Sequence, residues 1–236
     1  KTLFPYTTLF RSPCAVDTGG ATTENWMQKS SYLICVALVA LLQIALLPSA
    51  SATERAIDKE IVVPANVDAA WTAWTTREGI ISFFAPDAVV DPRVGGAFQI
   101  HINPLAEPGM KGADDMRFLA LQPRKMLSFD WNAPPSLPEA RQQRTFVVVR
   151  LTPVDDKSTR VSIHHTGWGD GGEWDKAYAY FDRAWGNVLI NLRKRFETGP
   201  MDWTDWLAQL KKMRDDAVKN RDDAAKNRDD AAATRK

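Results

Sequence analysis

Cysteine is scarce in this 236-residue chain, and both cysteines lie near its beginning, at Cys14 and Cys35. If the chain is cut after Ala52, as argued below, the remainder contains no thiol. That remainder then cannot form a disulfide, bind a metal through sulfur or use a cysteine nucleophile. Histidine is also rare, with three residues in all, so a histidine-based metal site has few candidates.

A surplus of charge of one sign is missing as well. Lysine and arginine total 30 and aspartate and glutamate total 29, which gives a formal net charge of +1. Such a balance offers no electrostatic steering toward nucleic acid or an anionic membrane surface. We therefore expect no nucleic-acid partner, and a small ligand instead.

Two motifs of common catalytic sites are absent: the chain has no G-x-S-x-G elbow and no P-loop. Asp170, Glu173 and Asp175 lack the spacing of a calcium loop and favour a role in capping a helix, where carboxylates complement the dipole. The neighbours His164 and His165 fall on opposite faces of a strand, so they cannot chelate one metal ion. We predict no catalytic residue, no metal and no cofactor.

The first 52 residues have the features of processing sequence rather than of a folded unit. Residues 1–26 show no hydrophobic periodicity, and we interpret them as an upstream or non-native leader. Residues 27–52 follow the order of a signal peptide, with a short basic region, an apolar run from Tyr32 to Leu47, and a small-x-small tripeptide ending at Ala52. We expect cleavage after Ala52 and a secreted or periplasmic product. The alternative is a transmembrane anchor, although the run is shorter than the ~20 residues of a span.

Residues 53–198 show the hydrophobic pattern of one α+β domain. A strand at 57–63 and a short helix after Asn66 precede strand-like runs in which apolar residues alternate with period two. A long helix, from about Glu173 to Phe196, then carries apolar residues at steps of three and four on one broad face. We predict a curved antiparallel sheet wrapped around this C-terminal helix.

Turn signals separate these elements. Gly79 is expected to break the first helix, and prolines and glycines predict loops at 104–115 and 134–139. The segment from Asp155 to Ser158 predicts the turn of a last hairpin. Short connections of this kind favour antiparallel neighbours.

Four segments of the domain resemble the START-like, or SRPBCC, superfamily. They are VDAAWTAWTTREGIISFFAP (67–86), DPRVGGAFQIHI (91–102), LQPRKMLSFDW (121–131) and STRVSIHHTGW (158–168). Within the superfamily they are most similar to homologues of the activator of the ninety-kilodalton heat-shock protein's ATPase. The resemblance implies a helix-grip fold with a deep cavity between sheet and C-terminal helix, which holds lipids, sterols, polyketides or similar apolar molecules.

The candidate ligand-binding residues are those that face one another between the predicted sheet and helices. They are Trp74, Phe84, Phe98, Ile100, Phe129, Trp131, Val149, Ile163, His165, Tyr178, Phe181, Trp185 and Leu189. His165 is the polar candidate because strand alternation puts it on the face of Ile163, whereas His101 points away from its apolar neighbours. The alternative for His165 is a structural role, as a buried imidazole bonded to its surroundings.

Residues 199–236 form an appendage that begins at Gly199-Pro200. The heptad KNRDDAA occurs there twice, at 219–225 and 226–232. Since its apolar members are alanines, we predict a solvated helix rather than a stable coiled coil. The protein–protein contact that we predict is weak self-association through this tail. We expect no stable membrane anchor.

Taken together, these features predict an exported protein that binds a small apolar or amphipathic ligand in its cavity without transforming it. One alternative is a cyclase- or isomerase-type enzyme, if His165, Asp130 or Arg117 converge in the same cavity. The other is a protein-interaction module that acts through an amphipathic helix at 203–213. An exposed apolar stripe on that helix would favour the interaction module.

Overall fold

The computed structural model describes residues 54–233. The leader and signal peptide predicted for residues 1–52 lie outside the described residues. The strands are β1 (Ile57–Val63), β2 (Asp87–Val90), β3 (Phe98–His101), β4 (Gly112–Ala113), β5 (Phe118–Gln122), β6 (Met126–Trp131), β7 (Thr145–Asp155) and β8 (Ser158–Thr166). The helices are α1 (Val67–Thr75), α2 (Arg77–Ile81), α3 (Pro138–Arg141), α4 (Gly172–Thr198) and α5 (Thr204–Ala233).

The strands form two antiparallel sheets that meet at one edge. One sheet has the order β1-β8-β7-β6-β5 and the other the order β2-β3-β4. At the junction, the Phe98 N–H donates to the Met116 carbonyl at 2.8 Å and the Phe118 N–H donates to the Gly96 carbonyl at 2.9 Å. The two sheets together give the curved antiparallel surface that the sequence predicts.

The hairpin of β7 and β8 sets the inner face of the larger sheet. Val147 pairs with His165 and Val149 with Ile163, and all four residues are buried. The predicted turn at 155–158 is present, with the Lys157 N–H donating to the Asp155 carboxylate at 2.8 Å. Alternation along these strands therefore turns every second side chain into the core.

Helix α4 lies on this inner face. It buries Ala177, Phe181, Trp185, Val188, Leu189 and Leu192, which recur at steps of three and four as predicted. The helix ends at Thr198 and is capped by Gly199, whose φ of 104° lies in the left-handed region, where glycine is the favoured residue. The predicted helix-grip architecture, with an antiparallel sheet around a long C-terminal helix, is confirmed.

The first helical segment departs from the expectation. Helix α1 begins after Asn66, whose side chain accepts the Ala69 N–H as predicted, but it ends at Thr75 and not at Gly79. Thr76 then caps α2 by accepting the Gly79 N–H at 3.0 Å. Gly79 lies inside α2, where a Cβ atom would come within 2.4 Å of the Thr72 carbonyl oxygen. The glycine thus permits close packing of two helices instead of ending one.

Three other details also differ. Strand β2 occupies a stretch between prolines, and the predicted loops at 104–115 and 134–139 contain β4 and part of α3. Glu173 does not cap α4: its carboxylate accepts the N–H groups of Glu139 and Ala140, at the beginning of α3, at 2.8 and 2.9 Å. A carboxylate at a helix N-terminus is favourable for either helix, so sequence alone did not identify its partner.

The tail begins with a segment that packs on the domain. The Trp203 and Trp206 indole N–H groups donate to the carbonyls of Ile81 and Ile102 at 2.6 and 2.9 Å, and Leu210 is buried. Residues 211–224 of α5 are all exposed, in agreement with the predicted solvated helix. Within residues 54–233, none of the helices combines the length and the apolar character that crossing a bilayer requires.

Candidate functional site

A cavity of about 710 Å³ lies beside α4, between the ends of β3, β4 and β6 and the first turns of α5. Its volume is in the range of sites for small organic molecules. The lining side chains are mostly apolar. They belong to Phe84, Ile102, Asn103, Met110, Lys111, Gly112, Ala113, Trp131, Asn132, Pro134, Pro135, Ser136, Tyr180, Phe181, Ala184, Trp185, Val188, Trp206 and Met213.

Aromatic rings in mutual contact form one wall of the cavity. The ring centroids of Trp131 and Trp185 are 5.5 Å apart. Phe84 stacks on Trp131 at 6.0 Å, and Phe181 stacks on Trp185 at 6.3 Å. Aromatic side chains have few rotatable bonds, and each of these rings touches another ring. The wall is therefore a rigid apolar surface made of ring faces and ring edges.

His165 lies behind this wall and is hydrogen-bonded to it. The Trp185 indole N–H donates to Nδ1 of His165 at 2.9 Å, so Nδ1 carries no proton and Nε2 carries it. Nε2 then donates to the Thr145 hydroxyl oxygen at 2.7 Å, and that hydroxyl donates to the Trp131 carbonyl at 3.3 Å. The imidazole thus links the two tryptophans that line the cavity.

The protonation state of His165 follows from its position. The residue is fully buried, and desolvation, with a further contribution from the charge of His164, lowers the pKa of its imidazole from 6.5 to about 3. A proton on Nδ1 would also face the Trp185 N–H group. His165 is therefore neutral at physiological pH and is hydrogen-bonded on both nitrogens. This is the structural role that the sequence analysis gives as the alternative to ligand binding.

Arg141 organises the opposite, polar side of the cavity. Its guanidinium donates to the carbonyls of Gly109 and Gly112 at 2.7 and 2.8 Å, to the carbonyl of Ala133, and to the Asp114 carboxylate at 3.2 Å. Asn132, with its side-chain oxygen turned toward Arg141, accepts two further N–H groups at 3.0 and 3.2 Å. These bonds fix the 109–114 loop to the segment that follows β6.

The three histidines of the chain occupy separate places. His101 is buried with Nδ1 2.8 Å from the Asp87 carboxylate, and His164 is exposed with Nδ1 2.7 Å from the Asp58 carboxylate. His164 and His165 do point to opposite faces, as strand geometry predicts. In the part of the chain that the structure describes, no three His, Cys, Asp or Glu side chains are grouped to hold a metal ion.

Four of the thirteen candidate residues line the cavity: Phe84, Trp131, Phe181 and Trp185. The other nine lie outside the lining, and eight of them are buried in the core. These eight are Trp74, Phe98, Ile100, Phe129, Val149, Ile163, His165 and Leu189. Tyr178, the ninth, is partly buried and donates its hydroxyl to the Ala56 carbonyl at 2.8 Å.

The reason for this division is that most inward-facing side chains of the sheet and of α4 belong to one packed core. Phe98 of β3 and Phe129 of β6, for example, have ring centroids 4.3 Å apart, so these bulky groups fill the space that the sequence assigned to a ligand. The open volume lies instead beside the middle of α4, from Tyr180 to Val188. Strand alternation identifies the inner face of a sheet but does not locate the gap along it.

Most of the lining residues that sequence analysis missed come from loops and from the tail, and the others include residues of α4. Asn103, Lys111 and Ser136 lie in segments without hydrophobic periodicity, so no pattern pointed to them. Ala184 and Val188 could have been found, since they lie on the apolar face of α4. Trp206 and Met213 belong to an amphipathic pattern that the sequence places in the appendage and not in the cavity.

Comparison with known proteins identifies one family. The model of the family described as Activator of Hsp90 ATPase homolog 1-like protein matches residues 64–197. This segment contains β2 to β8, the short helices and nearly all of α4. No curated protein matches the chain.

Solved structures give a likeness of fold. A protein from Mesorhizobium loti is 22% identical over 62% of this chain and 100% of its own, with a TM-score of 0.50. The Aha1 dimer from Colwellia psychrerythraea is 20% identical over 61% and 98%, with a TM-score of 0.49. CalU16 from Micromonospora echinospora is 20% identical over 70% and 86%, with a TM-score of 0.46.

Proposed function

The chain belongs to the Activator of Hsp90 ATPase homolog 1-like family, and we propose that its domain binds a small apolar or amphipathic molecule in the cavity beside α4. The observation that carries this proposal is an aromatic-walled space of about 710 Å³. A rigid apolar wall that is kept open within a well-packed domain is suited to bury a ligand rather than to stabilise the fold.

The energetics allow useful affinity without many polar contacts. Burying roughly 400 Å² of apolar ligand surface contributes about 10 kcal/mol at about 25 cal/mol per Å². Micromolar binding corresponds to about 8 kcal/mol, so this contribution exceeds it before the costs of association are subtracted. Association costs about 4 kcal/mol or more, which leaves about 6 kcal/mol or less, so a ligand that covers the aromatic wall is expected to bind with a Kd of tens of micromolar or weaker.

Two observations support binding over the alternatives. The polar groups named for an enzyme do not meet in the cavity: His165 is bonded behind the wall, and the Asp130 carboxylate accepts the Arg117 backbone N–H at 2.6 Å outside the lining. In the helix considered for protein interaction, Trp206 and Leu210 face the domain. The exposed apolar stripe expected of an interaction module is thus mostly covered.

Filling the cavity tests the proposal. Ala184 lies in the lining on α4, and Ala184→Trp would place an indole in the space that a ligand needs. We expect the affinity for N-phenyl-1-naphthylamine, an uncharged apolar fluorescent probe, to fall about tenfold, which corresponds to about 1.4 kcal/mol. Fluorescence titration measures it.

The matched control is Ala179→Trp, on the exposed side of the same helix. It adds the same side chain outside the cavity and should leave the affinity within about twofold of the wild type. A wild-type protein that binds no apolar probe, or two variants that bind equally, would refute binding in this cavity.

We also propose that the protein acts outside the cytoplasm. Lys29, the apolar run and the tripeptide ending at Ala52 stand in the order that signal peptidase recognises. The expected result is that N-terminal sequencing of the exported protein begins at Thr53. Recovery of the protein with residues 27–52 intact would contradict cleavage and favour the anchor.

A further inference from the structure

We infer that the ligand of this cavity is an aromatic or fused-ring organic acid whose anionic group binds Lys111. The inference rests on the proposed function, because it specifies the chemistry of the molecule bound at that same site. Three features of the cavity carry it: its charge, the arrangement of its neighbouring polar groups, and the shape of its walls.

The charge of the lining is positive. Its titratable side chains, within the described residues, are Lys111 and Tyr180, and its lining includes no carboxylate. Lys111 is half-buried, and it makes no ion pair with any other described residue. A partly desolvated ammonium beside apolar walls is costly unless an opposite charge meets it.

The carboxylate nearest to Lys111 in sequence is already engaged. Asp114 is buried, and its two carboxylate oxygens accept the N–H groups of Gly109 and Gly112 at 3.1 and 3.0 Å. The same carboxylate pairs with the Arg141 guanidinium at 3.2 Å. Asp114 and Arg141 therefore compensate each other, and the charge of Lys111 is left for a ligand.

Neutral polar groups surround the same side of the cavity. Asn103, Asn132 and Ser136 line it together with Lys111. The Asn132 oxygen accepts from Arg141, so its remaining hydrogen-bonding capacity is the donating NH₂ group. An ammonium with amide and hydroxyl donors nearby suits the oxygens of a carboxylate, sulfonate or phosphate.

The apolar side of the cavity determines which kind of hydrophobic body the ligand can have. Six aromatic side chains contribute to the lining: Phe84, Trp131, Tyr180, Phe181, Trp185 and Trp206. Aromatic linings favour ligands with aromatic rings, because stacked or edge-to-face pairs add attraction beyond the buried area. A planar body with one acid group thus matches both sides of the cavity.

A pair of fluorescent probes separates the two contributions. 8-Anilinonaphthalene-1-sulfonate and N-phenyl-1-naphthylamine share an anilinonaphthalene body, and only the first carries an acid group. We expect the wild type to bind the sulfonate about threefold to tenfold more tightly, because a half-buried charge-assisted contact has about this strength. Lys111→Met should remove the preference, because it weakens binding of the sulfonate relative to the uncharged probe.

Three further variants complete the test. Lys111→Arg keeps the charge and should retain most of the preference, which separates a lost charge from a damaged fold. Lys125→Met removes a lysine in the exposed β5–β6 turn and should change neither affinity. Ala184→Trp should weaken both probes, which locates them in the cavity.

The outcomes distinguish this inference from the proposal on which it rests. If the uncharged probe binds and Ala184→Trp weakens it, but Lys111→Met leaves the sulfonate preference in place, the acid-binding inference is wrong and the apolar cavity stands. If neither probe depends on Ala184, the proposed function fails. A sulfonate preference that Lys111→Met removes and Lys111→Arg restores supports the inference.

Discussion

Replacing His165 by leucine is expected to lower the free energy of unfolding by about 2–6 kcal/mol, since it leaves a buried donor (the Trp185 N–H) and a buried acceptor (the Thr145 hydroxyl oxygen) without their partner, at about 1–3 kcal/mol each. In the folded protein the imidazole accepts the Trp185 N–H and donates to Thr145. Leucine fills a similar volume but offers neither group. Chemical denaturation followed by tryptophan fluorescence measures the change.

The neighbouring histidine provides the control. His164 lies on the opposite face of β8, with its side chain 51% exposed and paired only with the exposed Asp58 carboxylate. Exposed ion pairs contribute about 0–1 kcal/mol, so His164→Ala should cost at most about 1 kcal/mol. Equal effects of the two substitutions would mean that the buried network does not stabilise the wall.

The pH dependence of the free energy of unfolding provides a second test of the His165→Leu variant. The folded-state pKa of His165 is lowered to about 3, below the unfolded value of 6.5. The contribution of the neutral imidazole is therefore complete above pH 6.5 and is lost as the pH falls toward 3. Over that window the unfolded state binds one proton more than the folded state, which is worth about 1.4 kcal/mol per pH unit. His165→Leu should make the acid limb of the stability curve shallower by this amount.

The effect on the cavity is separable from the effect on stability. Without the His165 acceptor, the Trp185 ring is no longer fixed against Trp131, so it can adopt other orientations in the cavity wall. The indole proton of Trp185, which is hydrogen-bonded to a nitrogen in the wild type, should shift upfield in the NMR spectrum. Probe affinity should fall even under conditions where the variant is fully folded.

How far the sequence predicted this fold depends on the kind of signal each element carries. Period-two alternation in β7 and β8 and three-four spacing in α4 identified the inner faces correctly, because burial imposes those periods directly. Gly79 was misread, since a glycine that allows two helices to approach looks the same in sequence as one that ends a helix. The partner of Glu173 could not be read from local sequence either, because it lies 33 to 34 residues away.

The site was less predictable than the fold for a related reason. Phe98 and Trp131 are both inward-facing aromatic residues, yet only Trp131 lines the cavity. The difference lies in how loops and α5 leave space beside the middle of α4, and irregular segments carry no periodic signal. His165 was placed on the correct face, but its role as a link between tryptophans depends on Thr145 and Trp185, each 20 residues distant in sequence.

Truncation of the chain after Gly199 is expected to lower the melting temperature by about 6–12 °C, the shift that a loss of about 3 kcal/mol produces in a domain of this size. The cut removes the contacts of Trp203, Trp206 and Leu210 with the domain. The three carbonyls that accept from this segment, those of Ile81, Ser82 and Ile102, become accessible to water and are not left buried without partners. Most of the loss is therefore apolar burial, at about 25 cal/mol per Å².

The same truncation removes one wall of the cavity, because Trp206 and Met213 belong to its lining. Affinity for N-phenyl-1-naphthylamine should therefore fall about tenfold or more, since the ligand exchanges contact with protein for contact with water. A second truncation, after Val218, is the control: it keeps Leu210 and Met213 and begins within the exposed stretch of 211–224. That shorter deletion should change the melting temperature by about 1 °C or less and leave probe binding intact. If the two truncations behave alike, α5 contributes neither to the core nor to the cavity, and the tail is the independent appendage that the glycine and proline at its start suggest.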